Sequence, residues 1–166
     1  PIDHYFHQDL DTEYQELFVG VVSLCEGSQL AYGWSIYSQD ELWADAGRVT
    51  GRFKAGVQTG FLAGLLAALT LVQRISSSVG NLYIRVPGLQ LLRDLTTKTP
   101  QGIAHMTCQD FDLVQAVKGS ITTVEKFCKV QLFELEEDNA WNDALDKAKW
   151  CYDSSHKVSS HSIVLC

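Results

Sequence analysis

The sequence predicts an α/β domain with a five-stranded mixed sheet, a three-strand antiparallel meander followed by parallel strands, flanked by helices. Three observations predict it. Three β-rich runs joined by short turns come before any helical pattern, strand-like and helix-like segments then alternate, and a long Ala/Leu-rich stretch carries one apolar face. A meander gives antiparallel pairing, whereas strand–helix–strand units give parallel pairing with helices laid on the sheet.

Residues 1–15 have no period and read as a lead-in arm, docked through Tyr5 and Phe6. Leu17 to Leu24 is an apolar, Val-rich strand, and Glu26-Gly27-Ser28 supplies turn chemistry. Leu30 to Tyr37 forms the second strand, closed by Ser38-Gln39-Asp40, and Glu41 to Val49, with Trp43, the third. A helix follows from about Phe53 to Ile75, in which Val57, Phe61, Leu65, Leu69 and Val72 make one buried stripe. Ser76 to Gly80 stops it, Asn81 to Val86 is a short strand, and Pro87-Gly88 leads into a short helix over Leu89 to Leu95. After a loop from Thr96 to Thr107, a helix runs from Cys108 to Val117, with Asp110 and Asp112 in its first turns where the dipole favours acids. Lys129 to Leu135 alternates as the fifth strand, and Asp138 to Tyr152 is an amphipathic helix with Asp138 or Asn139 as N-cap. Beyond Asp153 the chain is Ser- and His-rich until the apolar end Ile163-Val164-Leu165. The expected division is an arm over 1–15, one domain over 16–153 and a polar tail over 154–166.

With 166 residues, 46% of them hydrophobic, the chain can bury one proper core. Its net charge of -7 disfavours avid non-specific binding to phosphate backbones. Cys25, Cys108, Cys128, Cys151 and Cys166 are widely spaced, with no C-x-x-C pair and no zinc spacing, and read as reduced thiols of an intracellular protein of cytoplasm or nucleus. The longest apolar run, Phe61 to Val72, is short for a bilayer span, so no membrane partner is expected. The lack of an initiator Met reads as a piece cut from a longer chain.

Several ordered stretches resemble the ribonuclease H family. Ala31-Tyr32-Gly33-Trp34-Ser35-Ile36 is similar to its second strand, and Leu65 to Leu71 to the core of its first helix. Asp112-Leu113-Val114-Gln115-Ala116-Val117 is similar to the D-L-x-x-x-L helix before the last strand, and Asn142-Asp143-Ala144-Leu145-Asp146-Lys147-Ala148 to the N-x-x-x-D-x-x-A segment of the last helix. The resemblance spans about Leu17 to Cys151.

The resemblance implies four carboxylates at one edge of the sheet, which hold two divalent cations about 3.5–4 Å apart to activate water and stabilise the leaving oxygen. Hard cations take oxygen ligands, which Val, Gly and Leu side chains do not supply. Carried over, the first-strand position falls near Val21 to Ser23, and the first-helix position at Gly60 or Phe61, with Gln58 the nearest polar neighbour. The fourth-strand position falls at Val86 or Pro87. Only the last-helix acid has a match, Asp146; Glu26 imitates the family's Asp-Gly-Ser but sits at a turn. Where the family carries a loop His that helps product release, this chain has Glu136-Glu137-Asp138.

The expectation is therefore a pseudonuclease with no catalytic residue, no metal and no cofactor. It resembles tether, connection or inactivated RNase H domains of reverse-transcribing elements and viruses, retained for contact with a protein partner or with itself. The alternatives are a non-cleaving binder of RNA–DNA hybrid or double-stranded RNA, and a nuclease with relocated ligands at Glu26, Asp45 and Asp146. Gly56, Gly60 and Gly64 recur every four residues on the first helix and each weakens it by about 1 kcal/mol relative to Ala. Such a stripe implies close approach of a neighbour, either inside the domain or at an interaction face for a partner. Arg48, Arg52 and Lys54 are candidate phosphate contacts, and Arg85 and Arg93 surround the fourth strand. His4-x-x-His7 is a weak metal pair in the arm, G-x-S-x-G and G-x-x-x-x-G-K are absent, and Trp34, Trp43, Trp141 and Trp150 read as packing residues.

Overall fold

Side chains alternate across a strand, and in this sheet both alternating sets are used. The computed structural model describes residues 14–26, 29–38, 41–50, 56–75, 79–97, 108–134, 139–153 and 163–164. Strands β1 (Tyr14–Glu26), β2 (Gln29–Ser38) and β3 (Glu41–Thr50) form the antiparallel meander. Strands β4 (Val79–Val86) and β5 (Lys129–Glu134) join in parallel on the far side of β1. Helices α1 (Val57–Ile75), α2 (Leu89–Thr96), α3 (Cys108–Val124) and α4 (Asn139–Asp153) complete the described elements. The sheet order is β5-β4-β1-β2-β3-β6, where β6 (Ile163–Val164) pairs in parallel with Val49 and Thr50 of β3. The mixed meander-then-parallel sheet is the one expected; the end of the tail adds a short sixth strand to it and covers part of the β3 edge.

One face of the sheet presents Leu17, Val19, Val21, Tyr32, Trp34, Ile36, Leu82 and Ile84 to a core shared with α1 and with α3, which packs on α1. Phe61, Leu62, Leu65 and Leu69 of α1 are buried there, and each such side chain contributes about 1.5–3 kcal/mol. The predicted stripe holds from Phe61 to Val72, but Val57 is 58% exposed, one turn before the helix reaches the core. By length and composition α1 would also pass as a bilayer span, yet its apolar side is spent on this core. The helix predicted to end at Val117 continues to Val124, because Ile121 and Val124 extend the buried stripe of Leu113, Val114 and Val117 across Gly119.

The opposite face is covered by α4 over β1, β2 and β3. Here the contact is made of small residues. Ala144 and Ala148 meet Val22, and Cys151 meets Ala31 and Ala46. A Cβ on Gly33 would collide with the backbone of Ala144, so only glycine lets the helix sit this low. Two hydroxyls pin it: Ser35 donates to the carbonyl of Ala140, and the Tyr152 hydroxyl lies between the carbonyls of Leu24 and Gln29.

Candidate functional site

The pairing of β4 with β1 ends at Val19 and Ile84, whereas β1 continues to Glu26 with β2 alone beside it. This leaves a notch along the unpaired edge of β1. The first turns of α1, the segment after β4 and the start of α4 close around it. The result is a pocket of about 380 Å³ lined by Val21, Val22, Ser23, Val57, Gln58, Phe61, Pro87, Leu91, Trp141 and Leu145.

The stretches assigned to the family's carboxylates thus do converge: Val21 to Ser23 from β1, Gln58 and Phe61 from α1, Pro87 after β4, and α4. None of the ten described residues that line it is acidic. Ser23 donates its hydroxyl proton to the Val57 carbonyl at 2.6 Å, which ties β1 to the start of α1. The same helix start is held from behind, where the Gly56 N–H donates to Thr59 Oγ1 at 3.2 Å and the Thr59 hydroxyl donates to buried Asp110 at 2.6 Å.

Asp146, the one acid matched to the family, does not line the pocket and is exposed. Trp141 and Leu145, one turn apart on α4, hold the inward phase instead, and the next residue points about 100° away at 3.6 residues per turn. Asp45 lies on β3 opposite Trp34, accepting the Ala46 N–H at 2.8 Å. Glu26 ends β1 opposite Gln29, and its side chain lies outside the described residues. Among the described residues, no group of three or more His, Cys, Asp or Glu could hold a metal ion. An apolar lining does not fit a pair of hard cations either.

The remaining candidates disperse. Gly60 and Gly64 are buried inside the domain, where an added Cβ would come within 2.6 Å of Ser23 Cβ and of Val21 Cγ1 respectively. The glycine stripe is therefore close helix–sheet packing, and the interaction face expected of it is corrected to that; only Gly56 is open. Arg48 stands beside the Cys151 thiol on the sheet side of α4 and is not among the described residues that line the pocket. Burial pushes that thiol up, with Arg48 pulling the other way and Asp45 adding to the rise. Arg52, Lys54, Tyr5, Phe6 and the His4–His7 pair lie outside the described residues. Trp34 and Trp43 are buried as expected, while Trp150 is half exposed.

Sequence reasoning missed a second feature. On the part of the sheet that α4 leaves uncovered, Phe18 stacks on Tyr83 with centroids 5.0 Å apart, and Tyr37 and Phe133 flank them at 6.3 Å each. Arg85 stands 5.5 Å from the centre of the Phe133 ring. A hydrogen bond with Glu16 raises the Tyr83 hydroxyl pKa above its ordinary value, with burial second. The signal was present in the sequence as aromatics at the out-of-core phase of four strands.

No protein-family model and no curated protein sequence matches the chain. Solved structures do match, among them RNase H1 from the halophilic archaeon Halobacterium salinarum NRC-1, with a TM-score of 0.55 and 14% identity over 83% of this chain and 98% of that one. The N-terminal RNase H domain of a Mycobacterium tuberculosis protein, solved as a fusion with maltose binding protein, matches at 0.54 and 12% over 85% and 99%. LC11-RNase H1 in complex with RNA/DNA hybrid matches at 0.54 and 10% over 82% and 99%. The chain has an RNase H-like fold.

Proposed function

We propose that this chain is a catalytically inactive RNase H-like domain used for protein–protein interaction or assembly within a larger viral or retroelement-derived system. One observation carries the reading: the four converging segments meet in a pocket whose described lining is apolar side chains, one amide and one already bonded hydroxyl. Two-metal hydrolysis needs carboxylate oxygens on both cations. The origin rests on the resemblance to degenerate tether and connection modules. The interaction role is supported by the uncovered aromatic stripe with Arg85 beside it, since aromatics and Arg are enriched at protein interfaces.

The test is direct. Labelled RNA–DNA hybrid incubated with the protein and Mg²⁺ or Mn²⁺ is expected to stay intact. Metal-dependent cleavage that disappears in Asp146→Asn overturns the proposal. The neighbour solved with an RNA/DNA hybrid gives a reason for a second reading, a non-cleaving nucleic-acid binder. A gel shift that weakens steeply with salt favours that reading, and no shift at low salt removes it.

A further inference from the structure

The pocket has the properties of a ligand site as well as those of a vacated one. In open α/β sheets, ligands bind outside the carboxyl ends of strands where the chain switches from one side to the other. This pocket occupies such a place: β1 is followed by β2 on one side and joined in parallel by β4 on the other. Its walls are preformed, with Val21, Val22, Phe61 and Leu91 each 5% exposed or less, and its volume of about 380 Å³ matches small-molecule sites.

The lining sets the class of ligand. None of the described lining residues is charged, so a charged ligand would lose its hydration with no ion pair from them to replace it. Ser23 has committed its proton to Val57, which leaves the Gln58 amide to donate to and accept from a ligand. Trp141 and Phe61 offer ring surface and the remaining residues aliphatic surface. We infer that this pocket binds a neutral, largely apolar small molecule with one hydrogen-bonding group set against Gln58. The inference rests on the reading of the pocket as free of metal ligands.

Nile red, a neutral apolar dye with carbonyl acceptors, is the probe, titrated alongside the anionic dye anilinonaphthalene sulfonate. Saturable, one-to-one binding of Nile red with little binding of the anion is expected. Leu145→Trp fills the pocket from α4, and Val57→Glu brings a charge to its mouth on the first turn of α1, where the helix dipole tolerates an acid. Both are expected to bind the neutral dye at least about tenfold more weakly with an unchanged circular dichroism spectrum. If Leu145→Trp does not fold, Val57→Glu decides. Non-saturable binding, equal affinity in a folded variant, or preference for the anion overturns the inference. Hybrid cleavage by the same preparation overturns the inactive reading whatever the dye does, so the two fail separately.

Discussion

Cys25 and Cys151 are the same chemical group in opposite settings. Cys25 is exposed on β1, whereas Cys151 is 1% exposed on the sheet side of α4 and burial raises its pKa. The thiolate is the reactive form, so burial acts twice on Cys151, by blocking access and by depleting the nucleophile. Iodoacetamide at pH 8 is expected to alkylate Cys25 promptly and Cys151 only after denaturant is added, as read by peptide mass mapping. Comparable rates at both would show that α4 lifts readily from the sheet. Asp146 teaches the limit of residue-level reading. Its letters match a family segment, but the helix phase is set by Ala144, Ala148 and Cys151 against the sheet, and that phase puts Leu145 inward. A motif read as letters carries no phase; the small-residue spacing on either side of it did.

Helix α4 is seated by backbone rather than by interlocking side chains. Because the Cβ of an alanine at position 33 would strike the Ala144 backbone, the helix itself would have to move. Gly33→Ala is expected to cost about 3 kcal/mol or more, which thermal unfolding followed by circular dichroism would register as a marked fall in Tm. A fall no greater than for an exposed substitution would mean that the helix rides higher than described. Gly60 and Gly64 play the same part for α1, facing Ser23 and Val21. The sequence made such close packing legible as a glycine stripe without showing which neighbour was close. Element order and type were legible because periods of two and 3.6 are local properties. The true end of α3 was not, since Ile121 and Val124 matter only once α1 is known to lie beside them.

At the scale of the molecule, α1, with α3 packed on it, covers one face of the sheet, and α4 covers β1, β2 and β3 on the other. The strip that no described helix covers carries Phe18, Tyr37, Tyr83 and Phe133, and it is where a protein partner or a second copy would dock under the proposed function. Light scattering after size exclusion is expected to show association that Tyr37→Ser and Phe133→Ser weaken, with Tm little changed because both side chains are at least partly exposed. A strict monomer that takes up no partner, or association indifferent to both changes, counts against this use of the strip. The convergence of the four segments was legible through the resemblance to a family. Their closure into a pocket was not, because it depends on β4 ceasing to pair with β1 after Val19, a matter of register that no single segment encodes.

The apolar pocket also bears on reversibility. An acid at Val21 or Phe61 would be a lone carboxylate among buried hydrocarbon, which costs several kcal/mol or forces the group to stay protonated. Metal binding would compensate only after several such acids stood together, since one carboxylate leaves a cation mostly hydrated. Under the proposed function, each single step back toward a nuclease would therefore lose stability with no gain in activity to offset it. An enzyme that loses one ligand can regain it by one substitution. On the proposed reading, a lineage that has filled the site with Val, Phe, Trp and Leu has closed that road behind it.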